Sequence, residues 1–156
     1  MNSKCKCHIA LVEENATTSL LLKDFLELSN HQVFSLPTDW PAASAWLALA
    51  SAAPDLIVLD LQHPSMTGLA WLRHLRTSRW RQTPVIATSV SLSRHTQLLL
   101  NTLGVHHCLV KPFCLESLKQ EIDEQLAKSV HSEPLHPFWD TPVLRPNCLD
   151  VQMSQG

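Results

Sequence analysis

Five polar side chains stand where four short apolar runs of the sequence end. Glu13 and Glu14 follow the first run, Asp60 the second, Ser89 the third and Lys111 the fourth. Each residue is ordinary when taken alone, because a polar side chain commonly caps a strand end or lies in a solvated loop. The set is informative because equivalent positions carry three carboxylates, one hydroxyl and one ammonium group.

These residue types suit the transfer of a phosphoryl group. Clustered carboxylates repel one another and so raise one another's pKa, and a hard divalent cation bound between them removes that repulsion. Mg²⁺ binds a few carboxylates together with water and phosphate oxygens, so Glu13, Glu14 and Asp60 are candidate Mg²⁺ ligands. Asp60 is also a candidate carboxylate nucleophile toward phosphorus. Lys111 would supply positive charge and Ser89 a hydroxyl donor, and phosphoryl transfer depends mainly on such neutralisation and positioning.

The elements that must position these side chains follow from hydrophobic periodicity. Short apolar runs alternate with segments in which leucines recur at helical spacing. The predicted strands are residues 9–12, 32–36, 56–59, 85–88 and 108–110. Five strands alternating with five helices predict a doubly wound α/β fold with a parallel sheet. Ligands bind outside the carboxyl ends of such strands, so we expect all five polar side chains at one edge of the sheet.

Residues 8 to about 128 resemble the CheY-like receiver domain of two-component response regulators. The first strand with its acidic pair, the segment around Asp60 with Pro64 and Gly68, and the hydroxyl and lysine segments occur in order with suitable spacing. These segments read Ile-Ala-Leu-Val-Glu-Glu-Asn, Leu-Ile-Val-Leu-Asp-Leu-Gln-His-Pro-Ser-Met-Thr-Gly, Pro-Val-Ile-Ala-Thr-Ser and Leu-Val-Lys-Pro-Phe.

The resemblance implies a flavodoxin-like sheet of order 2-1-3-4-5 and a cis peptide bond before Pro112. It implies Asp60 as the phosphoacceptor and a histidine kinase or phosphotransfer protein as the phosphoryl donor. The backbone carbonyl of Gln62 would join the carboxylates as an Mg²⁺ ligand. Because no effector domain follows, we expect a stand-alone switch, not a metabolic enzyme, whose output is altered binding of a downstream partner.

Several positions depart from the family pattern. The second acid is usually Asp but is Glu14 here, and the longer side chain changes a site that needs near-octahedral geometry. His63 stands where Met is usual, Val90 where Ala or Gly is usual, and Cys108 where an aromatic switch residue is usual. These departures motivate an alternative, a pseudo-receiver that acts as an interaction module without phosphorylation. A phosphatase with an aspartate nucleophile is disfavoured, because the usual second acid is Gln62.

The composition divides the chain into a domain over residues 1–130 and a tail over residues 131–156. Four of the ten prolines fall within residues 134–146, which favours extended over helical backbone. Residues 135–144 nevertheless hold five large apolar side chains, Leu135, Phe138, Trp139, Val143 and Leu144. A solvated linker is normally poorer in such residues. We therefore predict a docking segment within the tail, which either packs on its own domain or inserts into a partner. A disordered end is the alternative.

Charge and cysteine content exclude several classes. Residues 1–129 carry 11 basic and 11 acidic residues, and the remainder carries Arg145 against three acids, so no basic excess points to nucleic acid. The five cysteines form an odd set, with no visible signal peptide or membrane span. These features predict a reduced cytoplasmic protein without membrane insertion. Cys5 to His8 lack a second ligand pair at zinc spacing, so we assign them to a disordered N-terminus.

Overall fold

The computed structural model describes residues 6–61 and 67–131. Its strands are β1 (His8–Val12), β2 (Gln32–Ser35), β3 (Leu56–Asp60), β4 (Val85–Ser89) and β5 (Cys108–Val110). Its helices are α1 (Ala16–Leu28), α2 (Trp40–Leu49), α3 (Thr67–Thr77), α4 (Arg94–Thr102) and α5 (Leu115–His131). The strands form one parallel sheet of order β2-β1-β3-β4-β5. The predicted fold class and strand order are therefore confirmed.

Two apolar cores lie on opposite faces of the sheet, because successive strand residues point to opposite sides. One core joins strand residues such as Ala10 and Leu59 to α2, α3 and α4. The other joins strand residues such as Leu11 and Val58 to α1 and α5. The central strands are therefore buried on both faces, which explains their continuous apolar sequences.

Local signals begin the helices where the chain leaves the sheet. Asn15, Asp39 and Ser93 each precede a helix, and their side chains accept a backbone N–H from its first turn. Such caps satisfy amide groups that lack a partner within the helix. Gly104 has a φ of 73° just after α4, a left-handed conformation that glycine adopts without steric cost. Each helix thus follows the carboxyl end of a strand.

The prediction of a disordered N-terminus is wrong for its last two residues. Cys7 is buried, and His8 begins β1. The His8 N–H donates to Asp55 Oδ2 at 2.7 Å, and the Gln32 N–H donates to the Cys7 carbonyl at 2.8 Å. These long-range bonds extend β1 beyond its apolar run, which periodicity alone could not show.

The boundary between the domain and the tail stays a prediction. Helix α5 continues to His131, one residue past the expected boundary at 130. The tail beyond it lies outside the described residues, so its predicted docking segment stays a prediction. Within residues 6–61 and 67–131, none of the helices combines the length and the apolar character that a membrane span requires.

Candidate functional site at the carboxyl edge of the sheet

The carboxyl ends of four strands carry the residues singled out from the sequence. Glu13 directly follows β1, and Lys111 directly follows β5. Asp60 and Ser89 are the last residues of β3 and β4. Because all strands run parallel, these four positions lie at one edge of the sheet.

Lys111 joins the carboxylates of the first and third strands. Its Nζ lies 2.9 Å from Glu13 Oε2 and 3.3 Å from Asp60 Oδ2. The side chains of Glu13 and Asp60 are only 5% and 12% exposed, so solvent screens this cluster poorly. Two neighbouring carboxylates would repel each other, and the ammonium group between them offsets that repulsion.

The pKa of Lys111 records the same balance. Burial acts to lower the pKa of the Lys111 ammonium group, while its hydrogen bond to Glu13 and the charges of Asp60 and Glu13 raise it. The attractive contributions prevail, and the pKa lies above its usual value of 10.5. Lys111 therefore stays protonated at physiological pH and keeps its positive charge beside the two carboxylates.

Glu13 and Glu14 differ although they are adjacent. Glu13 Oε1 accepts the Asn15 N–H at 2.9 Å, while its other oxygen contacts Lys111. Glu14 is exposed. Gln62, whose backbone carbonyl is expected to bind Mg²⁺ together with the three acids, lies outside the described residues. The structure thus brings Glu13, but not Glu14, into the ion-paired cluster with Asp60.

Ser89 is buried at the end of β4, and its hydroxyl is engaged locally. Its Oγ donates to the Ser91 carbonyl at 2.6 Å and accepts the Ser91 N–H at 3.4 Å. In the structure Ser89 is therefore a strand-end hydroxyl bonded to nearby backbone. The sequence analysis did not identify Ser91 as the partner of the Ser89 hydroxyl. A signal was available, because a serine side chain often bonds the backbone two residues further along the chain in a turn. Donation to a phosphoryl oxygen would require the hydroxyl to leave Ser91.

Two further residues shape the site. A Cβ added to Gly68, at the start of α3, would lie 2.4 Å from Leu61 Cα and 2.7 Å from the Asp60 carbonyl oxygen. Glycine is therefore needed for α3 to approach the end of β3. Burial, and secondarily the charge of Asp60, raise the pKa of the Cys108 thiol to about 11. Cys108 is consequently protonated and poorly nucleophilic at neutral pH.

Residues 9–123 match the sequence model of a protein family, the response regulator receiver domain. The chain belongs to this family. Lys111 also precedes Pro112 through a cis peptide bond, as the receiver resemblance implied.

Curated relatives place receiver domains in larger proteins. The KDP operon transcriptional regulatory protein KdpE of Escherichia coli is 28% identical over 87% of this chain, which spans 60% of KdpE. The transcriptional regulatory protein CpxR of Klebsiella pneumoniae is 33% identical over 80% of this chain and 51% of CpxR. The autoinducer 2 sensor kinase/phosphatase LuxQ of Vibrio vulnificus is 28% identical over 73% of this chain and 13% of LuxQ. The chain thus covers less than two thirds of each.

Solved receiver structures show the same fold. The receiver domain of a signal transduction histidine kinase from Syntrophus aciditrophicus gives a TM-score of 0.69 at 25% identity, covering 83% of this chain and 97% of that one. The chemotaxis protein CheY4 of Vibrio cholerae gives a TM-score of 0.67 at 22% identity, covering 76% of this chain and 98% of that one. Receiver domains are generally signalling modules, not metabolic enzymes.

Receiver domains generally bind Mg²⁺ at the phosphorylation site, and part of the donor set here suits that ion. Glu13 and Asp60 offer carboxylate oxygens within reach of one ammonium group, and Mg²⁺ commonly takes only one or two carboxylates plus water and phosphate. In the described ranges no three His, Cys, Asp or Glu side chains are grouped to hold a metal. The fit therefore rests on two carboxylates, with Glu14 outside the cluster.

Proposed function

We propose that this receiver is a phosphorylation switch in which Asp60 accepts a phosphoryl group from a histidine kinase or a phosphotransfer protein. The observation that carries the proposal is the placement of Lys111 Nζ 3.3 Å from Asp60 Oδ2 and 2.9 Å from Glu13 Oε2. This geometry provides a nucleophile, a fixed positive charge and a second carboxylate at one point of the sheet edge. Phosphoryl transfer depends mainly on such positioning and on electrostatic stabilisation.

The reaction assigns a task to each residue. A carboxylate oxygen of Asp60 attacks the phosphorus of a phosphohistidine, the new P–O bond forms, and the P–N bond breaks. The imidazole that leaves takes up a proton. Lys111 moves from its carboxylate partners toward a phosphoryl oxygen. The Ser89 hydroxyl leaves the Ser91 carbonyl and donates to a second phosphoryl oxygen. Glu13 and Asp60 would hold Mg²⁺, with Glu14 and the Gln62 carbonyl completing the set, and the ion would neutralise charge on the phosphoryl oxygens.

The output we propose is altered affinity for a protein partner in the cytoplasm. A phosphoryl group adds about 1.5 to 2 negative charges at neutral pH. In this site it would recruit Lys111, which now holds Glu13. Released or rearranged contacts at the sheet edge would bias the surface that the partner binds. The proposal includes no direct binding of nucleic acid and no insertion into a membrane.

A pseudo-receiver that works without phosphate is the second candidate. Two observations favour it: Glu14 is exposed, and the Ser89 hydroxyl is bonded to Ser91 at 2.6 Å. In such a module the Lys111 cluster would hold the sheet edge in a single state. Partner binding would then be insensitive to phosphodonors.

Intact-mass measurement after incubation with acetyl phosphate and Mg²⁺ separates the two candidates. We expect the unsubstituted chain to gain the mass of one phosphoryl group and Asp60→Asn to gain none. Asp24→Asn is the matched control, because Asp24 is an exposed carboxylate on α1, away from the sheet edge. A gain retained in Asp60→Asn would assign phosphorylation to another residue. No gain in any of the three proteins would favour the pseudo-receiver.

A further inference from the structure

Helix α2 is apolar on the side that faces solvent. Its sequence Trp-Pro-Ala-Ala-Ser-Ala-Trp-Leu-Ala-Leu contains no charged residue. Ala43 and Leu47 point into the core, and the outer residues are exposed: Pro41, Ala42, Ala45, Trp46, Ala48 and Leu49. A helix that is apolar all round is normally covered on every side. We call this set of outer residues the α2 face.

The α2 face includes an aromatic platform. Trp46 stacks on Phe34 of β2, with ring centroids 4.7 Å apart and planes 19° apart. Trp46 nevertheless remains 40% exposed and Leu49 89% exposed. The stack holds the indole ring in place, so the Trp46 side chain itself loses little conformational freedom when a ligand covers it. Extended proline-rich segments are typically bound by surfaces lined with aromatic rings.

A second copy of the chain is a poor occupant for this face. A helix of 10 residues is about 15 Å long and about 10 Å wide. Its outer side therefore offers far less than the roughly 800 Å² that each partner buries in a stable dimer. A short proline-rich peptide, which covers a narrow strip, matches the area better.

The chain carries such a segment after α5. Residues 132–156 add 25 residues beyond His131, enough to extend about 75 Å at roughly 3.1 Å per residue. Helices α2 and α5 both run back along parallel strands, so both end at the amino edge of the sheet. The tail therefore starts at the edge where the α2 face ends, and it is long enough to pass to the other side of the sheet.

Charge is also complementary. Arg79 follows α3, and its side chain reaches the C-terminal end of α2, where Nη2 is 3.5 Å from the Ala50 carbonyl oxygen. Its guanidinium also stacks over Trp80. Residues 132–156 carry Glu133, Asp140 and Asp150 against a single Arg145. An acidic tail is therefore attracted to the end of α2 that it reaches first.

We propose that residues 135–144, Leu-His-Pro-Phe-Trp-Asp-Thr-Pro-Val-Leu, pack against the α2 face of the same chain. Their aromatic and proline side chains would cover Trp46 and Leu49, and Asp140 would approach Arg79. This docking does not depend on the phosphorylation of Asp60. A partner that binds α2 would have to displace the tail.

Fluorine NMR of the full chain labelled with 5-fluorotryptophan tests the proposal. The Trp139 signal is assigned with Trp139→Phe, and its shift between H₂O and D₂O reports solvent contact. The test variant is Ala45→Gln with Leu49→Gln. The matched control is Leu21→Gln with Leu28→Gln on α1, because Leu28 is 88% exposed and also ends its helix at the amino edge. Urea unfolding checks that both variants stay folded.

We expect a small solvent shift of Trp139 in the unsubstituted chain, at any protein concentration. The α2 variant should raise it to the value of the free amino acid, and the α1 variant should leave it unchanged. In return, Phe138→Ser with Trp139→Ser should increase the solvent shift of Trp46. The proposal is overturned if Trp139 is solvent-exposed in the unsubstituted chain, or if its solvent shift depends on protein concentration. It is also overturned if the solvent shift of Trp139 changes in the α1 variant, or changes in neither variant.

Discussion

The carboxyl edge of the sheet and the α2 face both depart from the usual distribution of side chains. The sheet edge buries charged groups, whereas the α2 face exposes large apolar groups. At the sheet edge, the carboxylates of Glu13 and Asp60 are 5% and 12% exposed. On α2, Trp46 and Leu49 are 40% and 89% exposed. Charged groups are rarely buried unless they are paired, and large apolar groups are rarely left together in water. The buried carboxylates are paired within the fold, whereas the exposed apolar side chains of α2 have no such compensation among the described residues.

The two departures differ in what could relieve them. Buried carboxylates need a positive charge, and Lys111 already provides one within the fold. An exposed apolar face needs only a cover, which the described residues do not supply. The first arrangement is a closed electrostatic unit that a phosphoryl group would reorganise. The second is an open surface that a polypeptide segment would complete.

The largest expected effect comes from moving α3 away from the sheet edge. Gly68→Ala would force a Cβ against the backbone of Asp60 and Leu61, and we expect a loss of about 3 kcal/mol or more in the free energy of unfolding. Gly104→Ala is the control. Its Cβ would meet nothing within 4 Å, but the positive φ should cost about 1 to 2 kcal/mol. Urea unfolding measures both, and an equal cost would contradict the close approach at Gly68.

Removing the positive charge tests whether the buried carboxylates form a catalytic unit. Lys111→Met should lower the rate of Asp60 phosphorylation by acetyl phosphate about a hundredfold, comparable to the loss of one electrostatic donor in other sites. Lys119→Met is the control, because Lys119 pairs with Asp123 on α5 at 2.6 Å, away from the cluster. Rates from intact-mass time courses decide. A similar decrease in both variants would contradict a specific role for Lys111.

Val90 is an exposed apolar residue beside the charged edge of the sheet, where it could limit access to Asp60. It directly follows Ser89 and is 57% exposed. If its branched side chain narrows the approach to Asp60, Val90→Ala should speed both gain and loss of the phosphoryl group about threefold, or roughly 0.7 kcal/mol in each barrier. Leu98→Ala, also 57% exposed but on α4, should change neither rate. Unchanged rates in Val90→Ala would remove Val90 as a gate.

The smallest effect concerns the acid that stays outside the cluster. Glu14 is exposed and would have to lose rotamer freedom to reach an ion beside Asp60. Glu14→Asp has fewer rotamers to lose, so it should bind Mg²⁺ more tightly by several tenths of a kcal/mol, or about twofold. Calorimetric titration measures the change, with Glu27→Asp, an exposed position on α1, as the control. Equal affinity in Glu14→Asp would show that side-chain length at this position is irrelevant to the ion.

Sequence periodicity predicted the alternation of strands and helices, whereas the order of the strands in the sheet came from the resemblance to receiver domains. Alternating apolar strands and leucine-patterned helices predict parallel crossover units, and the carboxyl ends of such strands necessarily share an edge. This topology places positions 13, 60 and 111 at the same edge of the sheet, although they are far apart in sequence. The extension of β1 to His8 was not predictable, because it depends on Asp55, 47 residues away.

The sequence by itself thus determined the architecture, the edge where chemistry is possible and the residue types available there. Only the tertiary structure decided that Glu13 contacts Lys111 while Glu14 faces solvent, and that Ser89 bonds Ser91. It also decided that α2 keeps an apolar outer side, since periodicity cannot say which side of a helix with almost no polar residues is covered. The physical reason is the same in each case: backbone patterns fix which positions meet, whereas side-chain contacts depend on neighbours that are distant in sequence.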